Sequence, residues 1–267
     1  MGWTVFEFMG YGADRLQAFL LVNFRLGGML LAAPIFSRTS IPPLIKTGFA
    51  ITMAILLMPS IINAGIPVVP SLFDLTALGM KELLVGVLIG LMMKLLFYAA
   101  ETAGSFVGFQ SGLAIANIVD PSTQTQTNII GQFWLLVASM IFLAINGHHL
   151  VITSLSDSFQ VIPLGGAIFG ADALDLLLRL SGVMFVLALK MAAPILLTVF
   201  LIDVSLGVLA RTIPQMNIFI IGIPVKIAAA LLLIGTSLPL FSWALQSMTE
   251  FLDVHMHEMI AALASGA

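Results

Sequence analysis

The chain has 267 residues, of which 60% are hydrophobic and only 9% are Asp, Glu, Lys or Arg. Soluble globular domains contain about 25% charged residues, so this composition excludes a soluble enzyme. The net charge of −3 excludes a basic nucleic-acid-binding module. Because the chain has no cysteine, disulfides and thiol chemistry are also excluded. The sequence therefore predicts an integral membrane protein.

Charges and helix breakers divide the chain into six apolar segments, and a membrane-spanning helix needs about 20 mainly apolar residues. The segments cover residues 15–33, 44–62, 71–101, 129–145, 172–202 and 218–240, with loops predicted at 63–71 and 147–171. Apolar residues at helical spacing in 246–262 predict a separate amphipathic helix.

The predicted fold class is all-α: a polytopic, membrane-type protein with about six long hydrophobic helices and a C-terminal amphipathic helix. We expect a single membrane domain over 1–267. Within it, 15–128 would hold the N-terminal helices and a glycine-rich loop, 129–245 the C-terminal helices, and 246–267 the tail.

Charged residues and glycines, together with one phenylalanine, share one face of the third segment. They are Glu82, Gly86, Gly90, Lys94, Phe97 and Glu101. Charged side chains at membrane depth usually face protein or water, so this face is either closely packed through its glycines or turned to a polar conduit. Arg25, Lys190 and Lys226 also interrupt apolar segments and are predicted as buried charges or packing positions.

Glycine density is highest directly after this segment, at Gly104, Gly108 and Gly112. Each glycine costs a helix about 1 kcal/mol relative to alanine, and irregular backbone at membrane depth requires cover by protein or water. We therefore predict an irregular segment here, which is either a movable loop at a pore or an ordinary re-entrant connector.

The connection at 203–217 is longer and richer in polar residues than an αα-hairpin requires. It carries Asp203, Gly207, Arg211, Pro214, Gln215 and Asn217. Basic residues are concentrated in short cytoplasmic connections of membrane proteins. Arg211 therefore predicts that this hairpin faces the cytoplasm.

No catalytic motif is present. The sequence lacks the phosphate-binding pattern G-x-x-x-x-G-K-[ST], the zinc pattern H-E-x-x-H and the nucleophile pattern G-x-S-x-G. The pairs His148-His149 and His255-x-His257 have no third metal ligand nearby in the sequence. We expect neither enzymatic activity nor a cofactor nor a bound metal.

Four stretches together resemble the FliR family of type III export-gate proteins. They begin at Arg25-Leu-Gly-Gly-Met, Gly108-Phe-Gln-Ser-Gly112, Asn146-Gly-His-His-Leu and Leu206-Gly-Val-Leu-Ala-Arg211-Thr-Ile-Pro214-Gln-Met-Asn217. The last is the most specific, since chance rarely combines these residues in one hairpin. The resemblance extends over essentially the whole chain.

The resemblance implies a structural subunit of a helical, pore-forming complex with FliP-like and FliQ-like subunits, joined by an FlhB-like subunit on the cytoplasmic side. The complex would lie in the inner membrane at the flagellar basal body, partly above the membrane plane, and pass unfolded flagellar proteins. The hairpin at 203–217 would lie at its cytoplasmic entrance. A plug loop would include Gly104, Phe106, Gly108, Phe109, Gln110, Gly112, Asn117, Asp120 and Pro121.

Two other functions fit the residues. A proton- or ion-coupled secondary transporter of a small solute would use charges such as Glu82, Glu101 and Asp203 as ion sites, although the internal pseudo-symmetry usual in that class is not apparent. A structural membrane adaptor would have no conduit of its own. A transporter should work as a monomer or homo-oligomer and move a small solute, whereas an export-gate subunit should require different partner chains and move polypeptide.

Overall fold

A computed structural model describes residues 13–37, 41–62, 71–113, 128–213 and 217–266. Within these ranges the chain forms eight helices and no strand. They are α1 (Ala13–Ala32), α2 (Pro34–Ser37), α3 (Pro43–Ile62), α4 (Leu72–Gln110), α5 (Ile129–Ala144), α6 (Gly147–Val161), α7 (Ala171–Thr212) and α8 (Ile218–Ser265). The prediction of an all-α, membrane-type fold is confirmed.

Among the described helices, α3, α4, α7 and α8 are long and apolar enough to cross a membrane, and α5 with α6 could together form a fifth, broken span. The sequence predicted six spanning segments. The difference lies mainly in α1, which does not qualify. Its hydropathy is lowered by five polar or charged residues: Asp14, Arg15, Gln17, Asn23 and Arg25.

The glycine-rich stretch is helical for most of its length, which corrects the predicted irregular segment. Helix α4 continues through Gly104 and Gly108 to Gln110, and it ends where Gly112 takes a left-handed conformation with φ 85°. A side chain at Gly104 would come within 2.7 Å of the Ile130 carbonyl oxygen. The glycines therefore allow α5 to pack directly on the α4 backbone, and this packing offsets their low helix propensity.

Helix α6 lies where the sequence predicted a loop. It follows a break at Asn146, which has a left-handed backbone with φ 59°. The sequence predicted a loop because polar residues interrupt the apolar positions of this segment. In the structure those positions form a buried face, which includes Val151, Leu155 and Phe159.

The C-terminal tail is not a separate helix. Residues 246–262 belong to α8, which runs without interruption from Ile218 to Ser265 although it contains Pro224 and Pro239. The amphipathic pattern is nevertheless real, since Met248, Leu252 and Leu263 are buried. No helix breaker separates this pattern from the preceding apolar segment, so the two join into one helix.

The chain folds as two compact units. Unit 1 comprises Met1–Leu95, Asn146–Arg179 and Glu250–Ala267, and unit 2 comprises Leu96–Ile145 and Leu180–Thr249. Each unit has its own core. Leu21, Met29 and Ile89 are fully or almost fully buried in unit 1. In unit 2, edge-to-face pairs of aromatic rings join Phe97 to Phe142 and Trp134 to Phe241. A single functional domain over 1–267 stays a prediction.

Candidate functional site

A fully buried ion pair lies in unit 1. The guanidinium Nε of Arg25 on α1 is 2.5 Å from Oε2 of Glu82 on α4, and both side chains are 0% exposed. Burying two charges is costly unless they are paired and their remaining hydrogen-bonding groups are satisfied. The surrounding contacts meet this requirement.

The other donors of Arg25 reach the C-terminal end of α6. Nη1 donates to the carbonyl oxygen of Ser158 at 2.9 Å and Nη2 to that of Ile162 at 3.1 Å, while the guanidinium lies 4.2 Å from the ring centre of Phe159. Carbonyl oxygens at a helix end have few partners within the helix, although that of Ser158 also accepts a hydrogen bond of 2.9 Å from the N–H of Ile162. A cation at this end also interacts favourably with the helix dipole. Arg25 thus caps α6.

The second oxygen of Glu82 is also engaged. Oε1 accepts a hydrogen bond of 2.7 Å from the backbone N–H of Gly165, whose φ of 76° is one that glycine adopts readily. Arg25 and Glu82 therefore tie α1, α4, the end of α6 and the following loop together. Both carboxylate oxygens are occupied by protein groups, which favours the packing interpretation of Glu82 over an ion site.

Glycines bring α1 and α4 close enough for this pair to form. A side chain at Gly86 would overlap the carbonyl oxygen of Arg25, and one at Gly90 would come within 2.7 Å of the Met29 carbonyl oxygen. Gly28 on α1 lies equally close to the α4 backbone at Leu83. This part of the predicted polar face is a close helix contact.

The remaining predicted charges lie in less buried positions. Lys94 and Glu101 are half-buried on α4, and Oε1 of Glu101 accepts a hydrogen bond of 3.3 Å from the side-chain amide of Gln132. Lys190 is exposed within this chain, where only 28% of the most apolar stretch of α7 is buried. Its role as a buried charge or packing position stays a prediction.

A second polar cluster, which we call the Asp203 cluster, lies in unit 2 and consists of Gln110, Asp203 and Lys226. Oδ1 of Asp203 on α7 is 2.9 Å from Nζ of Lys226 on α8. Oδ2 of Asp203 accepts a hydrogen bond of 3.2 Å from Nε2 of Gln110, the last residue of α4. The structure thus joins a residue of the predicted plug loop to a residue of the predicted hairpin. Sequence reasoning assigned both residues but did not pair them, because 93 positions separate them.

The other predicted hairpin residues lie on the surface of the chain. Gly207, Arg211 and Asn217 are exposed, and a side chain at Gly207 would meet nothing within 4 Å. Pro214 and Gln215 lie outside the described residues. Residues 203–212 of the predicted connection belong to helix α7, which corrects its predicted extent, and a role of this region as a cytoplasmic hairpin stays a prediction.

Only some of the predicted plug residues lie within the described ranges. Gly104, Gly108 and Gly112 are buried, Phe106 is half-buried and Phe109 is 77% exposed. Asn117, Asp120 and Pro121 lie outside the described residues. In the part of the chain that the structure describes, no group of three or more His, Cys, Asp or Glu residues could hold a metal ion.

The model of the family described as bacterial export proteins, family 1, matches residues 16–252. The chain belongs to this family. It is 36% identical over 224 residues to the flagellar biosynthetic protein FliR of Bacillus subtilis (strain 168), a match that covers 83% of the chain and 86% of that relative. The FliR protein of Escherichia coli (strain K12) is 31% identical over 82% of the chain and 83% of the relative. That of Aquifex aeolicus (strain VF5) is 32% identical over 86% and 88%. The resemblance to the FliR family is confirmed.

The match to this family of bacterial export proteins includes both polar clusters. Arg25, Glu82, Asp203 and Lys226 all lie within residues 16–252, and so do Gly104 and the exposed Arg211. The family match therefore covers the parts of the chain in which these residues lie, and most of α8.

Proposed function

We propose that this chain is a structural, pore-forming subunit of the flagellar type III protein export gate in the bacterial inner membrane. It assembles with FliP-like and FliQ-like subunits, receives an FlhB-like subunit on the cytoplasmic side, and helps to pass unfolded flagellar proteins. The observation that carries the proposal is the family match over 16–252, with relatives named as flagellar biosynthetic proteins.

The apolar surface of the chain supports an assembly with several helical partners. Only 28% of the most apolar stretch of α7 and 17% of that of α8 is buried. Large side chains such as Leu197, Phe200 and Trp243 are more than half exposed. Apolar patches of this kind require lipid or other protein chains as cover. Partner helices in a pore complex would supply part of that cover and lipid the rest.

The two polar regions take different parts in this proposal. The plug is formed by residues 104–121, and its first part is the glycine-rich end of α4. The hairpin at 203–217 lies at the cytoplasmic entrance, where the exposed Arg211 faces other subunits or the translocating chain. We assign neither region a catalytic role.

The transporter alternative receives less support from the contacts. Glu82 would have to exchange an ion or a proton, yet both of its oxygens are occupied by Arg25 and by the N–H of Gly165. Asp203 is likewise held by a lysine and a glutamine. These contacts suit structural positions better than exchange sites.

Native mass spectrometry tests the proposal. The tagged chain is expressed in its own host with neighbouring genes intact and is extracted in mild detergent. We expect a discrete complex that contains several different small hydrophobic proteins. A monomer or a pure homo-oligomer would overturn the proposed assembly. In parallel, deletion of the gene should abolish export of flagellar subunits, and a wild-type copy should restore it.

A further inference from the structure

We infer that Asp203 is a positioning residue of the export gate. Its carboxylate holds the last turn of α4, through Gln110, against the segments of α7 and α8 in unit 2, and so sets the position of the plug's base in the closed pore. This inference rests on the proposed function. It assigns to the Asp203 cluster a role in the barrier that the closed gate maintains.

The geometry places one acceptor between two donors from different helices. Lys226 on α8 binds Oδ1 and Gln110 on α4 binds Oδ2, at 2.9 and 3.2 Å. Asp203 itself lies on α7, nine residues before that helix ends at Thr212. A single side chain therefore connects three helices, and the loss of its charge would release two contacts at once.

Partial burial makes these contacts effective. The side chain of Lys226 is 18% exposed and that of Asp203 is 37% exposed. Charges in such positions are less screened by solvent than pairs on an open surface, and hydrogen bonds to an ionised group are stronger than those between neutral groups. The ion pair of Asp175 and Arg179 on the same helix is much more exposed to solvent, with side chains 66% and 70% exposed, and is therefore more strongly screened.

The buried side chains at the end of α4 are small ones, such as the fully buried Ala103 and Val107. Gly104, Gly108 and Gly112 contribute none, and Phe109 is 77% exposed. The hydrogen bond from Gln110 acts at the last residue of this helix, where it restrains the turn most directly.

The experiment compares purified gate complexes, assembled with all partner subunits and reconstituted into lipid vesicles that contain a trapped hydrophilic dye. Gln110→Met removes the donor and retains an unbranched side chain of similar length. Asp203→Asn removes the charge. For each variant, dye release per assembled complex and export of flagellar subunits in cells are measured. Asp175→Asn is the matched control, because it makes the same change in an exposed ion pair of α7.

We expect Gln110→Met and Asp203→Asn to assemble and to release dye about fivefold faster or more, the change that loss of a contact of ordinary strength produces in a two-state equilibrium. The double variant should leak no more than Asp203→Asn alone, because Asp203→Asn already weakens the contact that Gln110→Met removes. Asp175→Asn should behave as wild type. A variant that exchanges the two donors, with Gln110→Lys and Lys226→Gln together, keeps one lysine and one glutamine beside Asp203. We expect this variant to retain dye as the wild type does.

Wild-type dye retention by assembled Gln110→Met complexes would overturn the inference. So would variants that lower only the amount of assembled complex and leave the release per complex unchanged, since that result indicates a contact that stabilises the fold alone. Failure of the proposed function looks different: a wild-type copy would then not restore export in the deletion strain. If the wild-type copy restores export and the variant complexes retain dye, only the positioning role of Asp203 is wrong.

Discussion

Arg25 and Glu82 join α1 to α4 through an ion pair from which solvent is completely excluded, with Nε and Oε2 2.5 Å apart. Their remaining groups bind the backbone at Ser158, Ile162 and Gly165. The pair therefore does more than hold two helices together. It caps α6 and fixes the loop that follows, so that three distant parts of the sequence depend on two side chains.

The first prediction concerns the loss of this pair. Arg25→Met should destabilise unit 1 by about 3–5 kcal/mol, because it leaves the Glu82 carboxylate buried and unpaired. Resistance to protease and thermal unfolding in detergent measure the effect. Arg179→Gln, which breaks an exposed pair, should cost less than about 1 kcal/mol. Equal stability of the two variants would show that the buried pair contributes little.

The second prediction concerns the close approach of α1 and α4. Gly86→Ala should destabilise the isolated chain by about 1–3 kcal/mol, because the added methyl group would overlap the Arg25 carbonyl oxygen and force the helices apart. Gly182→Ala is the matched control, since nothing lies within 4 Å of the new atom. That change should stabilise α7 by up to about 1 kcal/mol. The comparison fails if both variants unfold at the same temperature.

The third prediction concerns Gly108 at the end of α4. A methyl group there would come within 2.7 Å of Oδ1 of Asn128, which caps α5 by accepting a hydrogen bond from the N–H of Gly131. Gly108→Ala should therefore displace the cap and cost about 0.5–2 kcal/mol, as should Asn128→Ala. The two effects should not add in the double variant. Additive losses in thermal unfolding would contradict the contact.

The fourth prediction concerns the hairpin. Arg211→Ala should reduce export of flagellar subunits severalfold while the amount of membrane-inserted chain stays normal, because Arg211 is exposed and its side chain is in no ion pair with another described residue. Secreted subunits and inserted chain are both quantified by immunoblot. Arg179→Ala serves as the control. A fall in inserted chain that accounts for the whole export defect would assign Arg211 a structural role only.

The glycines illustrate how far sequence reasoning reached. Their spacing on α4 predicted a face covered by protein, and Gly86 and Gly90 indeed meet the backbone of α1. The same residue type at Gly104 and Gly108 was interpreted as an irregular segment, yet it forms the last turns of α4 against α5. Helix propensity is a local quantity, whereas the energy that overrides it comes from a partner helix distant in sequence.

Composition predicted an all-α, membrane-type protein, and a few sequence stretches carried the resemblance to the FliR family, because hydropathy and local sequence are properties of the chain itself. Which charges pair was decided only by tertiary structure. Arg25 finds Glu82 across 57 positions, and Gln110 finds Asp203 across 93. A charge in an apolar segment indicates that some partner must exist, but only the packing of the helices selects it, because the backbones must first approach within hydrogen-bonding distance.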